Sequence, residues 1–217
     1  MADRVAILLD GGFVTKKLSA QLGRFPDAAD VGSLIERVLA EPCLASRELL
    51  RVYYYDAPPI TDTVRHPIDG RSYDFAASRA YARNLALQRE LALFPDFALR
   101  QGELVFKGWR LRPPALDELL RSPRPLRRDD VVPELEQKGV DLRIGLDVAN
   151  LAVKHIVDTI VLMSGDSDFV PAMKFARREG VRVILDALGH GIRAVLYEHA
   201  DLVIDSFASR PPGKGSV

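Results

Sequence analysis

The sequence lacks several residues and patterns that would assign a class at once. Its single cysteine, Cys43, excludes an internal disulfide framework and a cysteine zinc cluster. We therefore expect a reducing compartment, with the cytoplasm as the default location. The 30 basic and 30 acidic residues leave a formal net charge of zero, which argues against binding nucleic acid through overall charge but permits a local basic patch.

Long apolar runs and nucleotide-binding glycine motifs are also missing. The apolar run at residues 5–9 is far shorter than a signal-peptide core or the ~20 residues of a membrane span, so we expect neither. The absence of a P-loop and of a dinucleotide-binding glycine fingerprint makes ATP and NAD poor candidate ligands. The composition, 47% hydrophobic and 28% charged, is that of a globular protein.

Short apolar runs alternate with longer amphipathic stretches along most of the chain. This is the pattern of strands and crossover helices around a parallel sheet, so it predicts an α/β fold. The predicted strands cover residues 4–9, 49–56, 159–163 and 181–185. The predicted helices cover residues 13–22, 31–40, 75–93, 142–155 and 169–179.

The middle of the chain fits this pattern less well. Alternating apolar residues between Phe97 and Leu111 predict a hairpin that adds an edge, and such an apolar edge would suit a homodimer. Prolines make residues 112–134 poor material for long regular structure, apart from one helical piece at 116–120.

We interpret this middle region as an insertion or lid. One domain is expected over residues 1–209, with its insertion at about 97–134 and a flexible tail at 210–217.

Aspartates stand where two predicted strands end and where one predicted helix begins. Asp10 follows the first strand, Asp166 and Asp168 follow the strand that ends at Met163, and Asp141 begins the helix between them. Ligand sites in open α/β folds lie at the carboxyl ends of strands. If these strands are neighbours, about 4.8 Å apart, the carboxylates would repel one another, and a divalent cation would remove the conflict.

The residue types at this edge indicate the chemistry. Oxygen ligands without a cysteine or histidine cluster favour Mg²⁺ or Mn²⁺ over Zn²⁺. Gly11 and Gly12 leave room for a phosphate to reach the ion. One or two ions would polarise a phosphodiester, lower the pKa of an attacking water and neutralise the leaving oxygen. Hydrolysis of nucleic acid is the natural reaction.

Three motifs resemble the NYN group of PIN-like nucleases, including its LabA-like members. They are VAILLDGG at 5–12, KGVD at 138–141 and SGDSDF at 164–169. The resemblance spans nearly the whole chain, and the pair of KGVD and SGDSDF is its specific part. It implies a PIN-like three-layer α/β/α sandwich with a mainly parallel sheet, an aspartate cluster that binds Mg²⁺ or Mn²⁺, and cleavage of RNA.

The resemblance also implies roles for particular residues. Its expected metal-binding and catalytic residues are Asp10, Asp141, Asp166 and Asp168, with a second tier of Asp147, Ser164 and Ser167. Many members of the family place an Asn a few residues after the first Asp, where this chain has Gly-Gly-Phe-Val. We therefore expect one polar substrate or metal contact of the family to be missing.

Each residue also has a plainer interpretation. An Asp at a helix start is most often an N-cap worth about 1 kcal/mol, and Asp141 or Asp168 could be no more than that. Asp147 lies about 240° round a helix from Asp141, so the two do not share a face, and a surface contact is an equal alternative. Ser164 and Ser167 are more often caps than phosphate or water ligands.

The marked basic cluster of the chain lies in the insertion. It comprises Lys107, Arg110, Arg112, Arg121, Arg124, Arg127 and Arg128, interleaved with Trp109. Such a track suits stacking and phosphate contacts with single-stranded RNA, and we include Trp109, Arg110, Arg112, Lys138, Gly11 and Gly12 as expected substrate-binding residues. A solvated loop is at least as common for such a segment, since Asp129, Asp130 and Glu134 offset part of its charge.

Three functions stay open from the sequence. The first is a metal-dependent ribonuclease, in particular an endonuclease. The second is a catalytically weak RNA-binding or regulatory module that keeps the fold, which the missing Asn favours. The third is a small-molecule phosphatase at the same sheet edge, but no second Asp stands two residues after Asp10, as an aspartyl-phosphate enzyme would need.

Overall fold

A computed structural model describes residues 3–189 and 191–208; the predicted tail at 210–217 lies outside these ranges. The strands of the described part are β1 (Arg4–Asp10), β2 (Glu48–Asp56), β3 (Thr63–Arg65), β4 (Ser72–Asp74), β5 (Phe97–Gln101), β6 (Glu103–Leu111), β7 (Val131–Lys138), β8 (Thr159–Met163), β9 (Arg182–Asp186) and β10 (Leu202–Ile204). Its α-helices are α1 (Gly11–Leu22), α2 (Ala28–Leu39), α3 (Arg79–Leu91), α4 (Pro113–Arg121), α5 (Val140–Val153), α6 (Val170–Arg178) and α7 (Ala194–His199). Short 3₁₀ turns cover Arg128–Asp130 and Ser167–Phe169.

Six strands form the central sheet, in the order β10-β9-β8-β1-β2-β5. Every neighbouring pair in it is parallel. Helices α1, α2 and α3 cover one face, and α5, α6 and α7 cover the other. The predicted three-layer α/β/α fold is confirmed.

Strand β1 shows why the sequence specifies this architecture. Its five residues 5–9 are fully buried, because Ile7 and Leu9 pack against one helical layer while Ala6 and Leu8 pack against the other. A parallel strand covered on both faces is continuously apolar rather than alternating. Burying each leucine contributes about 2 kcal/mol, so this run places β1 in the middle of the sheet.

The predicted hairpin within residues 97–111 is wrong in its pairing. β5 lies parallel to β2 at the edge of the central sheet, as the expected added edge requires, whereas β6 pairs antiparallel with β7 in a separate two-stranded sheet. The chain changes sheets at Gly102, where a Cβ atom would lie 2.6 Å from the carbonyl oxygen of Lys138. Only glycine permits so close an approach.

Strand β7 was not expected, because Pro133 and several charged residues occupy it. Proline is tolerated there since a two-stranded sheet consists only of edge strands. The predicted helical piece at 116–120 begins earlier, at Pro113, where proline suits the first helical turn. The short elements β3, β4, α7 and β10 were also not predicted. Among the described residues, no helix combines the length and apolar character needed to cross a membrane.

Candidate active site

The ends of β1 and β8 meet at the carboxyl edge of the sheet. Leu9 is in register with Met163, so Asp10 and Ser164 leave neighbouring strands side by side. The Ser164 hydroxyl donates to Asp10 Oδ2 at 3.3 Å and accepts from the Asp166 backbone N–H at 3.2 Å. Ser164 therefore ties the first acidic segment to the second.

Asp10 is both a helix cap and a member of the acidic site. Its Oδ1 accepts from the Phe13 backbone N–H at 3.1 Å and caps α1. Burial raises the pKa of Asp10, and the negative charges of Asp141 and Asp166 raise it further. The capping bond fixes the carboxylate in place while it faces the other acidic residues.

Asp141 is not an N-cap. Helix α5 begins after Gly139, whose positive φ of 73° is a left-handed conformation, and the cap makes no side-chain hydrogen bond. Partial burial raises the pKa of Asp141, and the charges of Asp166 and Asp168 add to the rise. Three separate segments of the chain thus bring their carboxylates within electrostatic reach of one another.

Asp166 and Asp168 have different local roles. Asp166 caps the 3₁₀ turn, since its Oδ1 accepts from the Asp168 backbone N–H at 3.0 Å. Asp168 has no capping role in α6, which begins without a side-chain cap. Asp168 and Asp141 instead line one open groove of about 400 Å³ between α5 and α6. We name Asp10, Asp141, Asp166 and Asp168 the aspartate cluster.

Asp147 is occupied elsewhere on α5. Its Oδ2 accepts from the Tyr55 hydroxyl at 2.8 Å and from Arg100 Nε at 3.0 Å. This position agrees with the helical angle of about 240° between Asp147 and Asp141. A direct part in metal binding stays a prediction, and the structure shows a bond that holds α5 against the sheet.

Asp56 is a buried carboxylate beside the aspartate cluster. In the sequence it marked only the end of the predicted strand at residues 49–56. It ends β2 next to Asp10, and its oxygens accept from the Ala57 backbone N–H at 2.7 Å, Gln137 Nε2 at 2.7 Å and Gln88 Nε2 at 3.1 Å. Burial raises its pKa, and the charge of Asp10 contributes. The available signal was its position, since Asp56 ends a central strand just as Asp10 does.

Gln137 brings a side-chain amide to the mouth of the site. While its Nε2 donates to Asp56, its Oε1 lies 3.7 Å from where a Cβ on Gly12 would stand. The same Cβ position is 3.6 Å from Asp10 Oδ1. The Gln137 amide from β7 therefore lies beside the Gly-Gly-Phe-Val stretch after Asp10, in which the Asn common in the family is absent.

The two glycines after Asp10 have different surroundings, and we expect different responses to substitution. Gly11→Ala should lower the free energy of unfolding by about 1 to 3 kcal/mol, because the new Cβ would lie 2.6 Å from the Tyr55 carbonyl oxygen and 2.8 Å from the Tyr54 ring. Gly12→Ala makes ordinary contacts and should stay within about 0.5 kcal/mol of the parent. Urea unfolding of both variants checks this, and equal losses would contradict it.

Among the described residues, three of the seven cations in the basic segment form ion pairs with carboxylates. Lys107 Nζ lies 3.2 Å from Glu136, Arg124 Nη1 lies 2.6 Å from Asp130, and Arg128 pairs with Asp69. The Arg124 guanidinium holds the pKa of Asp130 well below its usual range. Arg110, Arg112, Arg121 and Arg127 are exposed.

Trp109 belongs to a small aromatic core of the insertion. Its ring packs edge-on against His66 at 4.5 Å, Tyr73 at 5.3 Å and Phe106 at 5.9 Å, measured between ring centroids. These contacts join the β3–β4 and β6–β7 sheets. The half-buried ring is thus a structural element of the insertion, and its stacking on RNA stays a prediction.

The residue types of the aspartate cluster suit a metal ion, whereas their arrangement is not that of a ready-made metal site. Carboxylate oxygens are the donors that Mg²⁺ and Mn²⁺ prefer. Burial raises the pKa of Asp10 and Asp141, and repulsion between the carboxylates raises it further; a cation would relieve that repulsion. Across residues 3–189 and 191–208, however, no three His, Cys, Asp or Glu side chains are arranged as a ready-made metal site. An ion here would have to take one or two carboxylates, with water or phosphate oxygens as its other ligands, as Mg²⁺ commonly does.

Comparison with known families supports the resemblance seen in the sequence. Residues 122–206 match the family model of the NYN domain, which belongs to the PIN-like superfamily and is generally nuclease-like. The predicted NYN resemblance is confirmed over these residues. The matched range contains Asp141, Asp166 and Asp168, while Asp10 precedes it.

Two of the proteins that are similar to this chain illustrate the relationship. An uncharacterized protein of Methanocaldococcus jannaschii is 28% identical over 103 residues, which are 48% of this chain and 42% of that protein. The chain thus spans less than half the length of this relative. The crystal structure of a protein of unknown function from Vibrio parahaemolyticus aligns with a TM-score of 0.52 and 17% identity, over 94% of this chain and 93% of that one. That likeness shows the fold alone.

Proposed function

We propose that the chain is a metal-dependent ribonuclease, an endonuclease that hydrolyses RNA phosphodiesters at the aspartate cluster. The observation that supports it most is the convergence of three distant segments at one sheet edge. Ser164 joins Asp10 to the Asp166 segment by two hydrogen bonds, and Asp141 shares a groove with Asp168. The nuclease-like character of NYN domains agrees with this reaction.

The cofactor we propose is Mg²⁺ or Mn²⁺. NYN and PIN-like nucleases usually use divalent metals. When bound, the ion would supply Lewis-acid stabilisation of the phosphodiester and an activated water. The chain holds Asp10 and Asp166 in fixed orientations through their capping bonds. Asp141 and Asp168 face the groove, where they can orient a water or complete the coordination.

RNA is the partner we propose, with its backbone passing the open side of Gly12. That residue is exposed beside Asp10 and Gln137, whereas Gly11 is buried against the Tyr55 carbonyl and serves packing. Lys138, exposed at the end of β7, leads directly into the turn before Asp141 and can contact a phosphate. A homodimer through the β5 edge stays a prediction.

A second function has one observation in its favour. Within the described ranges no three potential ligands form a ready-made metal group, as expected of a module that binds RNA and cleaves it weakly or not at all. The two functions differ in whether RNA and an ion together complete the site.

Incubation of the purified protein with labelled single-stranded RNA separates the two functions. The ribonuclease proposal expects cleavage with Mn²⁺ or Mg²⁺ and none with EDTA, and internal cuts in a circular RNA would identify an endonuclease. Binding of the RNA without cleavage under any metal would instead support the RNA-binding module. If the protein neither binds nor cleaves the RNA, both functions are overturned.

A further inference from the structure

A guanidinium stands at the rim of the aspartate cluster. Arg193 Nη1 donates to the Ser167 hydroxyl at 2.8 Å, and Ser167 lies in the 3₁₀ turn between Asp166 and Asp168. Arg193 itself immediately precedes α7, 26 residues further along the chain. Two elements that follow neighbouring strands β8 and β9 therefore place a positive charge on the turn that carries Asp166 and Asp168.

Within residues 3–189 and 191–208, most of the hydrogen-bonding capacity of Arg193 is unused. A guanidinium has five N–H donors in a planar fork, and the bond to Ser167 uses one of them. Among the described residues, no carboxylate pairs with Arg193 within 4.0 Å. The side chain is exposed, so the rest of the fork is open to a ligand.

The hydrogen bond to the Ser167 hydroxyl leaves the positive charge of Arg193 in place. A neutral Ser167 holds the guanidinium in position without neutralising it, unlike the ion pairs that occupy Lys107, Arg124 and Arg128 in the insertion. Four carboxylates alone would repel an RNA backbone. A cation held at Ser167, without a carboxylate partner among the described residues, supplies local attraction for a phosphate, and the Arg fork can bind two of its oxygens at once.

We propose that Arg193 binds a backbone phosphate of the RNA strand that lies across the aspartate cluster. This inference rests on the proposed function, because it takes RNA as the substrate. It assigns to the loop between β9 and α7 a part in holding the strand at the centre. No sequence pattern indicated this role, because Arg193 lies outside the basic segment.

RNA binding without cleavage tests the proposal. Fluorescence anisotropy with a short labelled single-stranded RNA in EDTA should show Arg193→Ala binding about tenfold more weakly than the parent. The slope of log affinity against log salt concentration should fall by about 0.7, the value for one lost contact to a single strand. Arg193→Lys should recover part of the affinity, since it keeps the charge and loses the fork.

The controls separate this effect from general charge and from folding. Arg178→Ala removes an equal charge at the end of α6 away from the cluster and should leave the affinity within twofold of the parent. Thermal unfolding should show the same midpoint for both variants, because each side chain is exposed.

The outcomes distinguish the two proposals. If the parent binds RNA and Arg193→Ala binds with unchanged affinity and salt slope, the inference about Arg193 is overturned while the ribonuclease proposal stands. If the parent binds no RNA in EDTA, the inference about Arg193 is overturned, and the proposed function fails with it only if cleavage with Mn²⁺ or Mg²⁺ is absent as well. Equal losses in Arg193→Ala and Arg178→Ala would also overturn it, because they would reflect net charge rather than a local contact.

Discussion

Asp166→Asn is expected to reduce metal-dependent RNA cleavage about a thousandfold or more while the protein stays folded. Asp166 contributes its charge at the point where the three acidic segments meet, as its effects on the pKa of Asp10 and Asp141 show. Removing one such group from a preorganised charged site typically costs two to three orders of magnitude or more in rate. Single-turnover cleavage of labelled RNA with saturating Mn²⁺ measures the loss.

The stability of Asp166→Asn tests the repulsion within the aspartate cluster independently of RNA cleavage. Asn keeps an oxygen that can accept from the Asp168 N–H, so the cap of the 3₁₀ turn can survive. Removing one of several mutually repelling charges should leave the free energy of unfolding unchanged or raise it in the absence of metal. Asp117→Asn, the same change on the exposed surface of α4, should leave cleavage intact. Equal cleavage by Asp166→Asn and the parent would contradict the role of this residue.

Asp56→Ala is expected to have the largest effect on stability, a loss of about 3 kcal/mol in the free energy of unfolding. The substitution would leave three donors without their acceptor, namely the Ala57 N–H, Gln88 Nε2 and Gln137 Nε2. A buried donor left unsatisfied costs about 1 to 3 kcal/mol. Gln88 also donates to the Ala57 carbonyl, which limits the loss.

The same substitution should also lower activity through β7. Gln137 is the side chain that ties β7 to Asp56, and β7 leads into Gly139 and Asp141. Urea unfolding and RNA cleavage are the measurements, with Asp62→Ala on an exposed loop as the control. A stability loss as small as that of the control would show that the network around Asp56 is not important.

The sequence predicted the elements that local pattern determines. β1 and β8 were found within one residue, because continuous apolar runs mark strands buried on both faces. β7 was missed because its stabilising partner is β6, and antiparallel pairing between residues 20 to 35 positions apart leaves no local pattern. The same reason explains the wrong hairpin, since Phe97–Gln101 is apolar enough for either sheet.

In the candidate site too, local pattern predicted some residues, while others depend on tertiary contacts. The four aspartates were predictable, because strand ends and motif spacing place them at one edge, and helical angle separated Asp147 from Asp141. Asp56 carries the same strand-end signal, but its bonds to Gln88 and Gln137 depend on tertiary contacts. Arg193 was beyond prediction, because its bond to Ser167 depends on where the loop after β9 turns.

The central claim is that the aspartate cluster forms the metal centre, and calorimetric titration of Mn²⁺ tests it most directly. The parent protein should bind Mn²⁺ saturably, and Asp166→Asn should bind it at least about tenfold more weakly, while Asp117→Asn should match the parent. Equal affinity in the parent and Asp166→Asn, or no saturable binding in the parent with RNA present, would contradict the claim.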